Sequence, residues 1–189
     1  MDKKSKILAA AIKSFAQHGY ESVSVDEIVE KAGVAKGTFY YYFKSKEDLF
    51  LSLIGTGIDH LSEHMALDAG KTTDPVKKVV SIIESQYYYF AKNKDFCRVL
   101  VSEIWHFESK WKQKYAPRRD QYIFSMVEAI NDGKKLGLFD QKLDSKISAT
   151  AIFGMVATSA LDSVISGDKN SNKAMKMITK IALQGLMAN

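Results

Sequence analysis

Cysteine is almost absent from this chain, which has one cysteine among 189 residues. Cys97 has no second cysteine to pair with, so a disulfide within the chain is excluded and a reducing cytoplasm is the expected compartment. Alternating polar and apolar positions, which predict strands, are also missing, and the sequence has no repeat or low-complexity segment. Apolar residues recur at helical spacing instead. We therefore predict an all-α protein.

Apolar runs are too short or too polar for a signal peptide or a membrane span. The run that begins at Ile7 has six residues and ends before Lys13. Residues 147–166 carry one charged side chain, Asp162, but they contain many serines and threonines. Such a helix is expected to contact its own domain and a partner subunit. Small residues would allow two subunits to approach closely there and in the last helix: Ala149, Gly154, Ala157, Ala160, Ala174, Ala182 and Gly185.

Residues 24–43 have the pattern of two short helices joined at a glycine. Ser24 and Glu27 form an S-x-x-E capping box, so the first helix is expected to begin immediately after Ser24. Gly33 is expected to end it, because glycine adopts a positive φ without steric cost. A second helix at about residues 36–43 follows. This order of elements is typical of a helix-turn-helix.

The second of these helices has an inner and an outer face. Phe39 and Phe43 are four residues apart and are placed to pack inward. Residues 31–46 include four lysines and no acidic side chain, so this surface should attract phosphates. A further capping box begins at Ser45 and places Lys46 in the first turn of the next helix, where a phosphate is also favoured. The pattern indicates DNA binding.

The stretch AGVAKGTFYYYFKSKEDL, preceded by an amphipathic helix and HGY, closely resembles the DNA-binding domain of the TetR family of bacterial transcriptional repressors. The resemblance covers roughly residues 3–55 by motif and the rest by helical pattern and length. It implies a homodimer with one recognition helix in each half-site of a near-palindromic operator, and Thr38 as a base reader. The positions that contact phosphates or base edges in the family correspond to Ser24, Ala35, Lys36, Gly37, Tyr40, Tyr41 and Lys46.

The remaining sequence has helical periodicity throughout, which gives about nine helices. We expect a DNA-binding domain at residues 1–50 and a helical effector-binding and dimerisation domain at residues 51–189. The later helices are predicted at residues 46–66, 75–92, 94–107 and 118–132, the last ended by Gly133 and Gly137, then one capped by Asp144 and one after GDKNSN. Gly55 and Gly57 indicate either a bend between domains or close helix packing.

Eleven aromatic residues between positions 87 and 124 exceed what a core of this size needs. Regulators that resemble this chain bind an apolar or amphipathic effector among helices 4 to 8 and then leave their operator. The segments KLGLFDQKLD and IFGMV resemble regulators of fatty-acid metabolism in that family, which implies a fatty acid or acyl thioester. By this resemblance the effector pocket is lined by Leu61, Met65, Ile83, Tyr87, Leu100, Ile104, Tyr122, Met126 and Phe153.

One motif favours a different class of function. His60, Glu63 and His64 fit H-x-x-E-H, in which two histidines one helical turn apart hold zinc and the glutamate acts as a base. The alternative is therefore a zinc-dependent hydrolase or a metal-responsive regulator. Such a site needs a third ligand, and the remaining histidines are His18 and His106. Glycine-rich phosphate loops, G-x-S-x-G and CxxC are missing, so we predict a regulator without a cofactor and not an enzyme.

Overall fold

The structure, a computed structural model, describes residues 2–103, 116–166 and 171–188. Regular structure within these ranges is helical, apart from an isolated bridge between Phe139 and Met187. The helices are α1 (Lys3–His18), α2 (Val25–Ala32), α3 (Lys36–Tyr42), α4 (Lys46–Ala69), α5 (Pro75–Lys92), α6 (Lys94–Glu103), α7 (Ala116–Lys135), α8 (Ser145–Ser166) and α9 (Ser171–Leu186). The prediction of an all-α fold is confirmed.

The first three helices form a small domain around a shared apolar core. Helix α1 contributes Ile7, Ala11 and Phe15, which are buried on one face. Ile28 of α2 and Phe39 of α3 are fully buried in the same core. Helices as short as α2 and α3 are not stable alone, so this burial is what holds them in place. The exposed face of α3 therefore rests on a packed base.

Helix α4 takes part in both halves of the chain. Near its start, the Phe50 ring lies 5.7 Å from the Phe15 ring and 5.0 Å from the Tyr20 ring, so this turn packs into the N-terminal domain. Further along, Ile58 and Leu61 are fully buried where α4 contacts α5 and α7. One continuous helix of 24 residues thus connects the two halves.

The C-terminal helices pack around α5, which contacts α4, α7, α8 and α9. Helix α6 crosses from α5 back towards the N-terminal domain and packs against α1 as well as α8. It is described as far as Glu103, so the predicted end of this helix at residue 107 lies outside the described residues. Helix α6 therefore gives the C-terminal half a second connection to the N-terminal domain, besides α4.

Acidic side chains begin two helices where the sequence predicted them. Asp74 Oδ1 accepts hydrogen bonds of 2.9 and 3.2 Å from the backbone N–H groups two and three residues ahead, and α5 begins at Pro75. Asp144 Oδ1 accepts one of 2.8 Å from Ile147 N at the start of α8. Both starts are confirmed because each side chain satisfies N–H groups that have no partner within the helix.

Two predicted helix ends are wrong. Helix α4 continues three residues further than predicted, to Ala69, which is buried and still packs against the core. Helix α7 passes through Gly133 and ends at Lys135. Gly133 stays inside the helix because the Phe139 ring fills the space of its missing side chain, where a β-carbon would lie 2.1 Å from Phe139 Cδ2. Gly137, with φ 70°, marks the turn after α7, as predicted.

Helix α8 has a buried side and an exposed side. Ile152 and Val156 pack inward, whereas Ile147 and Ile165 are exposed. Four small residues predicted to contact a second subunit are instead buried within their own chain: Ala149, Ala157, Ala160 and Ala182. Inward packing uses their small size to bring α8 close to α5 and α6, and α9 close to α5. Across the described ranges, no helix is long and apolar enough to cross a membrane.

Candidate nucleic-acid interface and effector region

The turn between α2 and α3 has the local structure predicted from its sequence. Ser24 Oγ accepts a hydrogen bond of 3.1 Å from Glu27 N and caps α2, while the Glu27 carboxylate pairs with Lys31. Gly33 lies in the left-handed region, and its N–H donates to Glu30 O at 3.0 Å. A residue with a side chain would be strained at this φ of 63°. The chain therefore turns at Gly33 and starts α3 three residues later.

Helix α3 presents one face to the protein and the other to solvent. Phe39 and Phe43 are buried, whereas Tyr41 is 81 % exposed and Tyr40 is 52 % exposed. The other predicted contact positions around this helix are exposed or half-buried: Ser24, Ala35, Lys36, Gly37 and Thr38. A single helix that projects polar and aromatic groups in this way has the size and chemistry to enter a major groove.

Lys36 forms a surface ion pair at the start of α3. Its Nζ lies 2.7 Å from Asp26 Oδ1 of α2. The hydrogen bond to this carboxylate, and then the charge of Asp26, raise the pKa of Lys36, so the side chain stays protonated at neutral pH. Both side chains are more than half exposed, and water screens such a pair strongly. A phosphate that approaches α3 is therefore able to replace Asp26.

Lys46, also predicted to contact phosphate, points its ammonium back into the N-terminal domain. The Nζ donates to three backbone carbonyls, Tyr20 O at 2.8 Å, Glu21 O at 3.2 Å and Val23 O at 2.9 Å. It also lies 4.3 Å from the centre of the Tyr20 ring. An ammonium has three N–H donors, so this geometry uses all of them within the protein.

Most predicted effector residues lie in the core between α4 and α8. Those buried there are Leu61, Met65, Ile83, Tyr87, Leu100 and Met126. Phe153 is half-buried and packs against them, while Ile104 and the Tyr122 side chain lie outside the described residues. Two buried polar side chains are paired: Tyr87 Oη lies 2.9 Å from Ser163 Oγ, and Gln86 Nε2 donates to Phe153 O at 3.0 Å. The region is chemically suited to a hydrocarbon chain.

The H-x-x-E-H residues lie on the exposed side of α4. His64 Nδ1 is 2.8 Å from the His60 backbone oxygen, so one ring nitrogen already has a partner within the helix. Within the described ranges, no set of three or more histidine, cysteine, aspartate or glutamate side chains is arranged to hold a metal ion. His18 ends α1, and His106 lies outside the described residues. The two histidines therefore have no third ligand among the residues that the structure describes.

A polar cleft beside these histidines was not predicted from the sequence. It lies between α4 and α5 and has a volume of about 620 Å³. Its lining includes Lys71 of the loop after α4 and several α5 side chains, among them Ser81, Glu84, Tyr88 and Lys92. The available signal was the recurrence of these polar positions along one face of α5. The cleft is open and charged, unlike the apolar core assigned to the effector.

Cys97 packs where α6 meets α8. Its side chain is buried, and its Sγ lies 3.8 Å from the Ala157 backbone oxygen. Burial raises the pKa of the Cys97 thiol to about 12, because the charged thiolate loses its contact with water. The thiol is therefore protonated and unreactive at neutral pH.

Helices α4, α5 and α6 meet at Gly57. The Phe96 ring of α6 occupies the position where a side chain would be, since a β-carbon at Gly57 would lie 2.1 Å from Phe96 Cε2. Tyr89 of α5 donates its hydroxyl to Gly57 O at 3.1 Å. Arg98 of α6 donates to Ala16 O of α1 at 3.4 Å. Close packing accounts for this glycine, and the Arg98 hydrogen bond joins α6 to the N-terminal domain.

Two family models match the chain. The model described as bacterial regulatory proteins, tetR family, matches residues 7–53. The model described as tetracyclin repressor-like, C-terminal domain, matches residues 72–186, which is more than half of the chain.

A helix-turn-helix domain joined by a long helix to a helical C-terminal domain defines a DNA-binding transcriptional regulator. The chain belongs to the TetR family. Regulators of this family bind operator DNA, form dimers and respond to small ligands, so the resemblance seen in the sequence is confirmed. The hydrolase alternative gains no support from the family.

Several relatives over nearly the full length are named for fatty-acid metabolism. The fatty acid metabolism regulator protein of Bacillus subtilis is 26 % identical over 88 % of this chain and 86 % of its own. The fatty acid degradation regulator FadR of Bacillus halodurans superposes with a TM-score of 0.84 and 26 % identity, over 97 % of this chain and 95 % of that one. A candidate fatty acid metabolism regulator from Clostridium perfringens superposes with a TM-score of 0.81 and 29 % identity, over 97 % of this chain and 100 % of that one.

Proposed function

We propose that this protein is a cytoplasmic repressor that binds a near-palindromic operator as a homodimer and leaves it when a long-chain fatty acyl thioester binds. The observation that carries the proposal is α3, an exposed two-faced helix held on a packed base after a glycine turn. Relatives named for fatty-acid metabolism support the effector class. The protein acts by binding alone, without catalysis and without a cofactor.

In the proposed DNA complex, α3 lies in the major groove. Thr38 reads a base, and Gly37, which has no side chain, lets the backbone approach the DNA closely. The remaining contacts to phosphates or base edges come from Ser24, Ala35, Lys36, Tyr40 and Tyr41. Two such helices, one from each subunit, enter successive major grooves about 34 Å apart.

Replacing Lys36 by methionine should weaken binding to all DNA sequences. The variant loses one phosphate contact in each subunit, two in the dimer complex, so the slope of log K against log salt should fall in magnitude by about 1.8. The measurement is fluorescence anisotropy at several salt concentrations, with an operator duplex selected by the protein from random DNA and with an unrelated duplex.

Lys71→Met is the matched control for the Lys36 variant. Lys71 forms a surface ion pair of 2.6 Å with Asp68 in the C-terminal half, far along the chain from α3. Its removal takes away the same charge but should leave the salt slope unchanged. An equal slope for Lys36→Met and the wild type would contradict a phosphate contact at this position.

The homodimer is proposed to form through the exposed stripes of α8 and α9. Apolar side chains on these stripes include Ile147 and Ile165 of α8 and Met177 and Ile181 of α9. Gly154 of α8 and Gly185 of α9 leave room for a second chain, because no described atom beyond the adjacent turns of the helix lies within 4 Å of the place where a β-carbon would be. Exposed apolar residues grouped on adjacent helices are the usual surface for a permanent subunit contact.

The acyl chain is proposed to enter the apolar region between α4 and α8. Leu61, Ile83 and Met126 are fully packed there, so a bound chain must separate them. Because Leu61 belongs to α4, binding would shift the helix that continues into the N-terminal domain. The two recognition helices would then no longer match the spacing of successive grooves, and the operator would be released.

Palmitoyl-CoA should stabilise the protein and release its operator. At 100 times its Kd, the thioester should add about 2.7 kcal/mol to the free energy of unfolding and raise the Tm. Because coupling between two sites is reciprocal, the same compound should weaken operator binding. Thermal unfolding and competition anisotropy measure the two effects.

Three controls separate this effector class from its alternatives. Free coenzyme A and zinc chloride should change neither the Tm nor operator binding, and His60→Ala should respond to palmitoyl-CoA as the wild type does. Palmitoyl-CoA recovered intact after incubation is the expected result for a protein that is not a hydrolase. Stabilisation without loss of operator binding would contradict the proposed regulation.

A further inference from the structure

We propose that Lys46 is a positioning residue that fixes α4 to the start of the helix-turn-helix, rather than a ligand of the DNA phosphates. Its ammonium lies within 2.8 to 3.2 Å of three carbonyl oxygens of the α1–α2 loop. An ammonium is a tetrahedral donor, and three acceptors on one side satisfy it completely. A phosphate contact through the same group would require these bonds to break.

The three carbonyls belong to the loop that leads into α2. Tyr20 and Val23 are buried, and Ser24, the residue that caps α2, follows directly. Tyr20 O also accepts a long hydrogen bond of 3.4 Å from Val23 N within the loop, and the ammonium adds a shorter, charged donor to this carbonyl and to those of Glu21 and Val23. The position of Ser24 and of α2 is thus set from the first turn of α4.

Electrostatics explains why the ammonium stays on the carbonyls. Lys46 is in the first turn of α4, where the helix dipole disfavours a cation. Three partially negative oxygens and the face of the Tyr20 ring, 4.3 Å from Nζ, offset this cost. Hydrogen bonds from a charged donor are about twice as strong as neutral ones. Lys36 differs, since its ammonium has one exposed carboxylate as a partner.

The arrangement gives Lys46 a role in regulation as well as in recognition. Helix α4 continues from this turn into the proposed effector region, and the Lys46 bonds tie its start to the α1–α2 loop. Movement of α4 therefore carries α2 and α3 with it as one body. This inference concerns how the domain is held and remains valid for any effector, so its failure is distinct from failure of the proposed effector class.

The test is a salt titration of DNA binding by Lys46→Met and Lys46→Arg. For Lys46→Met we expect operator affinity to fall by about tenfold or more, with affinity for an unrelated duplex within about twofold of the wild type. The salt slope should change by less than half of the change expected for Lys36→Met, which is about 1.8 for two lost phosphate contacts. Lys46→Arg should show the same loss for the operator, because a planar guanidinium keeps the charge but cannot direct its donors to all three carbonyls.

Other outcomes would overturn the proposal. A phosphate ligand predicts that Lys46→Met loses operator and unrelated DNA equally, with a slope change of about 1.8 for the two subunits, and that Lys46→Arg binds as the wild type. A purely structural role predicts a lower Tm with an unchanged ratio of operator to unrelated affinity. If Lys46→Met does not fold, the operator affinity of Lys46→Arg alone decides between a positioning residue and a phosphate ligand. In the wild type without DNA, the Lys46 ammonium proton signal in nitrogen-15 NMR should persist, and its rapid exchange with water would also count against the proposal.

Discussion

Replacing Ile181 by glutamate should convert the dimer into a monomer and reduce operator affinity by about 100-fold or more. Ile181 is 50 % exposed on α9, on the stripe proposed to meet a second chain. If the stripe is an interface, dimerisation removes this side chain from water, and a carboxylate in its place would be buried without a partner. The free-energy cost of burying this unpaired charge is expected to exceed the stability of a subunit contact of ordinary size.

Loss of the dimer has a large effect on DNA binding because the two recognition helices are linked. Once one helix binds its half-site, the second binds at a high effective concentration. This increases the overall affinity by a factor of about 10²–10⁴. A monomer keeps α3 and its contacts but loses this gain. Sedimentation equilibrium at micromolar concentration measures the mass, and anisotropy measures affinity for the full operator and for a single half-site.

Leu67→Glu is the matched control for the dimer. Leu67 is 70 % exposed on α4, so the same change of an exposed apolar residue to glutamate is made away from α8 and α9. This variant should remain dimeric and bind the operator normally. A dimeric Ile181→Glu variant with full operator affinity would show that the subunits meet elsewhere.

Tyr87→Ala should lower the free energy of unfolding by about 3–5 kcal/mol, the largest effect on stability that we expect from a single substitution. Tyr87 is 1 % exposed in the core between α5 and α8. Truncation removes the buried ring, leaves a cavity that packed neighbours fill poorly, and deprives Ser163 of the hydroxyl 2.9 Å from its Oγ. For a chain of this size the Tm should fall by about 10 °C.

The adjacent tyrosine supplies the control. Tyr88 is half exposed and its hydroxyl donates to Asn172 Oδ1 at 3.3 Å, so Tyr88→Ala should cost about 1 kcal/mol or less. Tyr87→Phe removes only the hydroxyl and should cost about 1 kcal/mol. Equal stabilities of Tyr87→Ala and Tyr88→Ala would contradict the burial of Tyr87. Effector binding is best tested in Tyr87→Phe, because its core remains filled.

The helix-turn-helix could be predicted from sequence because its determinants are local. Ser24 caps the helix that follows it, Gly33 supplies its own backbone conformation, and Phe39 and Phe43 are one helical turn apart. Each signal depends on residues a few positions away, and propensity and periodicity report on that range. The start of α5 at Pro75 and the cap at Asp144 were predictable for the same reason.

Features that depend on distant parts of the chain were not predictable. The Lys46 ammonium binds carbonyls 23 to 26 residues earlier, and backbone acceptors carry no sequence signal. Gly133 reads as a helix end because glycine is a poor helix former, but the Phe139 ring from the following loop makes it a packing position. Periodicity identified Leu61 and Ile83 as inward residues, but an inward residue can line a pocket or fill a core.

The contact between Gly57 and Phe96 should leave a record in the evolution of the family. Because the ring lies where any β-carbon at position 57 would be, the two positions cannot change independently. A descendant of this protein that acquires alanine or a larger residue at position 57 should also replace the phenylalanine at 96 with a smaller side chain. Positions 57 and 96 should therefore covary, although they lie 39 positions apart in the chain.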